Sequence, residues 1–514
     1  MPPEPSMSAM ADLEPPDCIF RANRVVTPAG IAPAEVLIRD GRITAVFAFH
    51  DRTAEPHALR SAGQGGTAVQ VISIPDDEVL MPGLVDTHVH VNEPGRTDWE
   101  GFATATAAAA AGGVTTIVDM PLNSIPPTID VGSLEAKRAA AEGQCAVDVG
   151  FWGGAVPANE ADREALHEAG VFGFKSFMID SGVPEFPPLD HHGLARAMKQ
   201  IAELGSLLIV HAEDPVTIAA APAAAGGDYA GFLWSRPPAA EVAAIIQVLR
   251  LAAATGARVH VLHLSSADPV PLLAAAREDG ASISAETCPH YLTLAAEQVG
   301  YGHTEFKCCP PIRGVDNRER LWGALESGAI ECVVSDHSPC PPELKDRALR
   351  GAVSPGQHGG DFGSAWGGIS SIQFGLPLVW THARERGFDL ADVARWMSAS
   401  PARLAGLAAK GAIAPGYEAD LVAFAPDERF VVAPDQLLTR HKLTPYAGQE
   451  LCGAVRRTWL RGEAVSPGQS HSGRLLRRPA TAPQTTASED TAALPDTLPP
   501  KTVPPDAVPP QRQR

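Results

Sequence analysis

Leu84-Val-Asp86-Thr-His88-Val-His90-Val91 is a β-branched apolar run, followed by the alanine-rich stretch Ala103–Ala111 and a second such run, Thr115–Met120. Two short β-branched runs around a segment of strong helix formers read as strand, helix, strand. The alternation continues. Further strands are predicted at Val147–Trp152, Gly173–Met178, Leu207–His211, Arg258–Leu264, Ser282–Thr287 and Glu331–Ser335, with helical stretches such as Leu134–Ala141 and Val242–Ala254 between them. Eight strands with helical crossovers over residues 80–405 is the count of an α/β fold of the (β/α)8, TIM-like barrel kind. A doubly wound open sheet is the rival, but no Gly-x-Gly-x-x-Gly follows the first strand.

On either side the chain changes character. Cys18–Thr27, Glu35–Ile38, Arg42–Phe47 and Val69–Ile74 are short strand-like runs, and Asp420–Phe424 and Val455–Leu460 resemble them near the other end. Neither group alone makes a stable sheet. The two are therefore expected to pair as one small β-sandwich domain, residues 18–79 with 406–466. Residues 1–17 and 467–514 read as disordered tails; the second holds ten prolines and is expected to be dispensable.

The 514 residues carry 41 Lys and Arg against 60 Asp and Glu, a net charge of −19. That balance argues against a nucleic-acid partner, which needs clustered cations. At 45% hydrophobic the chain can bury a full core. No window of about 18 apolar residues lacks Gly, Thr or charge, so no membrane span is expected. The amino-terminal residues lack the apolar region of a secretory signal. The eight cysteines lack the dense spacing of a disulfide scaffold, so a cytoplasmic location is expected.

Barrel active sites sit at the carboxyl ends of the strands. Strand one ends Asp86-Thr-His88-Val-His90, and side chains two apart share a face, so both imidazoles point into the barrel. A His-x-His alone reads more readily as two packed core histidines than as a metal site. Strand four carries Lys175 among apolar residues, strand five ends at His211, strand six at His263 and strand eight at Asp336. Four His, one Lys and one Asp at five strand ends read jointly as a metal site, because converging imidazoles and a carboxylate suit a borderline cation such as Zn²⁺. An ammonium has no lone pair. Lys175 becomes a ligand only if CO₂ adds to its amine, and the carbamate then bridges two cations. Strand parity gives His260 a core or helix-facing role and His337 a structural one.

These residues resemble the amidohydrolase superfamily, in its cyclic-amidase branch, over nearly all of residues 18–465. The loop Asn92-Glu-Pro-Gly-Arg96, Met120-Pro-Leu-Asn123, Phe174-Lys-Ser-Phe-Met178, Glu286-Thr-Cys-Pro-His290, Phe306-Lys-Cys-Cys-Pro310, Ser335-Asp-His-Ser338 and Lys410-Gly-x-Ile-x-Pro-Gly-x-x-Ala-Asp420 are similar to the allantoinases within it. Dihydroorotase-like chains carry Arg where this one has Asn92, and hydantoinase-like chains usually lack the Glu93–Arg96 loop.

The resemblance implies a hydrolase that opens (S)-allantoin, a small-molecule substrate, to allantoate. It implies two Zn²⁺ per subunit, one held by His88, His90, carboxylated Lys175 and Asp336, the other by the carbamate, His211 and His263. Asp336 is the expected base and acid, with Asn92, Cys288 and Ser338 expected to touch substrate, and a homotetramer is expected. Rival readings are a hydantoinase/dihydropyrimidinase-like or dihydroorotase-like cyclic amidase and a non-enzymatic scaffold. Asp86 reads as a partner of a ligand imidazole or as a satisfied barrel acid. His191-His192 read as surface and capping residues, Glu213 and Asp214 as solvated loop acids at least as readily as catalytic groups, Trp99 as packing and Cys308-Cys309 as loop packing.

Overall fold

In a computed structural model, residues 16–49, 69–345 and 359–479 are described. Chain order begins with β1 (Cys18–Thr27), β2 (Gly30–Arg39), β3 (Arg42–Ala48), β4 (Gln70–Ser73) and β5 (Val79–Pro82). The barrel strands follow: β6 (Leu84–Val89), β7 (Val114–Asp119), β8 (Asp148–Phe151) with its continuation β9 (Gly153–Gly154), β10 (Phe174–Phe177), β11 (Leu207–His211), β12 (Arg258–Val261), β13 (Ile283–Thr287) and β14 (Cys332–Val333). They pair in parallel in the orders β6-β7-β8 and β9-β10-β11-β12-β13-β14, and a bridge between Val89 and His337 brings the last strand back to the first. This is the predicted TIM-type barrel.

Alternation along the strands separates two apolar layers. Val118, Trp152, Phe177, Ile209, Leu262 and Val334 fill the barrel interior. Ile117, Val149, Phe174, Leu208, Val259 and Ala285 face the surrounding helices. The helices Tyr229–Ser235 and Pro238–Thr255 make a run long and apolar enough, by length and composition, to cross a bilayer, which was not expected from the sequence. The run breaks at Arg236-Pro237, and Ala244, Ile245 and Val248 sit in the core, so the second helix has the place of a barrel crossover.

The two chain ends do pair. β15 (Leu421–Val431) lies antiparallel to β5 and to β16 (Glu450–Leu460), and with β17 (Glu463–Val465) they form an eight-stranded sheet in the order β17-β16-β15-β5-β1-β2-β3, with β4 beside β1. Phe20 meets Trp459 edge-on at 5.0 Å, so the sheet's own core joins residues from both ends of the chain. Three carboxylates, Asp148, Glu418 and Asp420, gather where this sheet meets the barrel's amino-terminal end, and Lys410 Nζ lies 2.6–2.8 Å from all three.

One boundary differs from expectation. The chain does not leave the fold at residue 467. Leu475 pairs with Val149, Val149 N–H donates to the Arg474 carbonyl at 2.9 Å, Leu476 N–H donates back to Val149 at 2.8 Å, and Arg478 N–H donates to the Gly170 carbonyl at 2.9 Å. Residues 473–478 thus strap the amino-terminal ends of strands three and four. Proline content marks this stretch as tail, but Leu475 and Leu476 are half-buried and pack against the barrel's apolar layers. Residues 480–514 and 1–15 of the predicted tails lie outside the described residues.

Candidate active site at the barrel mouth

The strands deliver the six singled-out groups to one place, but not all by strand parity. β12 stops at Val261 and β14 at Val333, each short of the predicted end. His263 and Asp336 lie beyond, in turns with left-handed backbone, φ 35° and 44°. For residues with a Cβ that conformation costs on the order of 1–2 kcal/mol, so the surrounding structure must hold it.

At the resulting centre, Asp336 Oδ1 lies 3.1 Å from His88 Nε2 and 3.7 Å from His90 Nε2. His211 Nδ1 lies 2.9 Å from His263 Nε2. The outward nitrogens of two rings are tied back: His88 Nδ1 to Glu286 at 2.5 Å and His211 Nε2 to Glu213 at 2.8 Å. A ring that donates one N–H to a carboxylate turns the lone pair of its other nitrogen inward. Asn123 approaches His90 Nδ1 at 3.4 Å, and the Phe177 ring stacks on His211 with centroids 4.7 Å apart.

The electrostatics fit a cation. Burial lowers His90 and His263 well below the usual imidazole range and also lowers His211, so these three are neutral donors. Burial works the same way on His88, but the Asp336 and Glu286 carboxylates override it and push that ring up to about 9. A point that draws a proton so firmly, between a buried His88 Nε2 lacking a hydrogen-bond partner and a carboxylate, is chemically suited to a metal ion. Lys175 is buried, its amine 4.8 Å from the Phe177 ring centroid, and among the described residues no carboxylate forms an ion pair with it. Burial lowers it to about 8, which leaves a share of free amine near neutrality. The donor set therefore fits both cations and a carbamylated lysine.

A cavity of about 280 Å³ opens onto this centre, lined by His90, Asn123, Lys175, His211, His263, Asp336 and Ser338, with Arg236, Lys307, Cys308, Cys309 and Trp366 around it. Gly368 closes one wall at φ 151°, where a Cβ would meet the Ser338 carbonyl at 2.2 Å. Of the three expected substrate contacts, Ser338 lines the cavity. Asn92 is fully buried, its amide donating to the Pro339 carbonyl at 3.3 Å. Cys288 is buried beside Asp336 and His290, with ligand atoms of the three within 4.8 Å of one another.

Several other readings change. His260 does not face the helices: it shares a register row with Lys175 through Ile209 and points into the barrel, where its Nε2 lies 3.0 Å from Glu286. Parity counted back from His263 failed because the turn after Val261 breaks it. Glu213 is not a solvated loop acid; it is fully buried between His211 and Arg236. Asp214 caps the helix Pro215–Ala220. Asp86 accepts backbone N–H groups of His88 and Ser335, a satisfied barrel acid. His337 accepts the Ser371 N–H, and His191-His192 are exposed behind the capping Asp190. Trp99 packs edge-on against Trp366, and Cys308 and Cys309 are free thiols on the cavity wall.

Glu286 stands two residues after Ser284 on β13, and that spacing is the sequence signal that it faces inward with His260. Asn123, at the end of the second strand's loop with φ 73°, carried no such signal.

Residues 79–465 match the model of the amidohydrolase family. The chain is 53% identical over 472 residues to the allantoinase of Streptomyces avermitilis, covering 91% of this chain and 100% of that one. It is 47% identical over 392 residues to the allantoinase of Saccharomyces cerevisiae, covering 75% and 82%. Among solved structures, the L-hydantoinase of Arthrobacter aurescens superposes with a TM-score of 0.79 at 29% identity, covering 90% of this chain and 100% of that one. With its barrel, its metal-suited strand ends and matches over most of its length, the chain belongs to the amidohydrolase family.

Proposed function

We propose that the chain hydrolyses (S)-allantoin to allantoate at the barrel mouth. The observation that carries the reading is the convergence of His90, His211, His263, Asp336 and Lys175 on one cavity, with His88 Nε2 3.1 Å from Asp336, in a chain that shares 53% identity with an allantoinase. In this reading His88, His90 and Asp336 would hold one Zn²⁺ and His211 and His263 a second, with Lys175, as its carbamate, a further ligand. That group forms when the free amine adds CO₂ and releases a proton. Bound cations supply Lewis-acid polarisation of the ring carbonyl and a water nucleophile at neutral pH.

The chain's own groups do the rest. Asp336 takes the proton that water releases as it adds to the carbonyl carbon. It then gives that proton to the ring nitrogen as the C–N bond breaks, so one water is consumed and no other reactant is needed. The wall formed by Trp366, Phe177 and the Cys308-Cys309 turn shields the ring from bulk water. A cytoplasmic homotetramer belongs to the same reading, and eight free thiols accord with a reducing compartment.

The cavity's charges favour a neutral substrate. Among the described residues lining it, the cations besides Lys175 are Arg236, engaged by Glu213, and Lys307, whose ammonium donates to the Ala365 carbonyl at 2.6 Å. Arg96 is paired with Glu185 and Arg313 with Glu241. A substrate carboxylate would therefore lie desolvated without a partner, at a cost of several kcal/mol. Measured on one metal-loaded preparation, kcat/KM for allantoin should exceed that for dihydroorotate by roughly a hundredfold or more. Comparable values would overturn the reading. Faster turnover of hydantoin than of allantoin would favour the hydantoinase alternative, which the 0.79 TM-score supports.

A further inference from the structure

We propose that Glu286 is a positioning residue that sets two of the site's imidazoles at once, His88 from strand one and His263 from strand six, through one carboxylate. The inference rests on the metal-binding reading above and assigns a task to a residue outside the ligand set.

Glu286 stands on β13, fully buried beneath the cavity. Its Oε1 lies 2.5 Å from His88 Nδ1 and accepts the backbone N–H of His263 at 3.2 Å. Its Oε2 lies 3.0 Å from His260 Nε2, and the other nitrogen of that ring is 2.7 Å from Ser284 Oγ. The carboxylate thus takes three donors from two other strands, which fixes it in place. The two dependent rings need it in different ways. For His88 the bond chooses the tautomer: with the proton on Nδ1, the Nε2 lone pair faces Asp336. For His263 the bond acts on the backbone. This residue holds φ at 35°, and its buried Nδ1 has no hydrogen-bond partner among the described residues, none of whose acids orients the ring directly. His211 shows the contrast, because it has Glu213 to itself.

Removing the carboxylate should therefore loosen cation binding at both halves of the site, whereas a merely structural acid would leave it unchanged. The test uses the full-length protein stripped of metal, with folding verified by its thermal transition, and titrates Zn²⁺ alone against a competing chelator. Wild type, Glu286→Gln and Glu286→Leu are compared with Lys410→Met, which perturbs a buried ion cluster remote from the cavity. Glu286→Gln should bind Zn²⁺ roughly 10- to 100-fold more weakly than wild type. Glu286→Leu should bind it no more tightly than that, and Lys410→Met should bind it as wild type does. A folded Glu286→Gln protein with wild-type affinity overturns the inference, and it decides the matter alone if Glu286→Leu does not fold. Failure of the wild-type chain itself to bind Zn²⁺ would instead overturn the metal reading on which the inference rests.

Discussion

Among the described residues, a buried cluster of charged side chains at each end of the barrel invites comparison, and the two are built on opposite plans. At the amino-terminal end, Asp148, Glu418 and Asp420 surround Lys410, and Arg461 adds two contacts of 2.9 Å to Asp148. Three carboxylates within reach of one another look like a cation site, yet the protein fills the place with its own ammonium. At the carboxyl end the proportions reverse. There Asp336 faces four imidazoles mostly held neutral, and among the described residues no carboxylate forms an ion pair with Lys175. Buried acids alone therefore identify nothing. Structure and function are told apart by whether the chain supplies its own countercharge.

Exchanging the two lysines tests that contrast with the largest expected effects. Lys175→Met should lower kcat/KM on allantoin by at least about 10⁴-fold, yet leave the metal-free protein as stable or more so, because an unpaired ammonium no longer has to be buried. Lys410→Met should do the reverse. Burying the three carboxylates without that ammonium, with Arg461 left on Asp148, costs about 3–5 kcal/mol, while kcat/KM of the folded, metal-loaded fraction stays within a few-fold of wild type. Denaturant unfolding and steady-state rates measure both; an active Lys175→Met or an unperturbed Lys410→Met breaks the contrast.

The next effect is smaller and concerns the amino-terminal end alone. A chain ending at Arg478 should keep its unfolding midpoint, whereas one ending at Ser466 loses the Arg474–Arg478 strap. Four backbone bonds and two half-buried leucines are worth on the order of 3 kcal/mol. Equal midpoints for the two truncations would show that the strap contributes nothing.

The smallest effect is one of pH, away from both clusters. Burial lowers His382 to about 4, with Glu385, Arg386, Arg318 and Glu319 near it. Between about pH 6.5 and 4 the unfolded chain takes up a proton that the native one refuses, so stability is full above 6.5 and declines as pH falls to 4. His382→Phe should flatten that decline by on the order of 1–2 kcal/mol. An unchanged slope would mean that the ring is protonated in place.

Much of this was legible in the sequence, and the failures share a cause. All eight barrel strands could be read because each is a short, mostly apolar run between helix formers; His88, Lys175 and His211 lie on strands, where alternation reports direction, and His90 stands one residue past β6. His263 and Asp336 lie in left-handed turns past the strand ends, so parity misplaced His260 even though it found the ligands. Glu213 and Glu286 read as ordinary acids because Arg236 and His88, which bury them, are distant in the chain. Composition cannot show such partners. The strap was missed because two leucines in a proline-rich run decide its fate.

Counting divalent ions per chain after stripping and reloading with Zn²⁺, in wild type and in Lys175→Met side by side, is the most direct test of whether the barrel-mouth cluster is a lysine-bridged metal centre. Two tightly held ions in wild type and at most one in Lys175→Met are predicted. Two ions retained by Lys175→Met, or none bound by wild type, would contradict it.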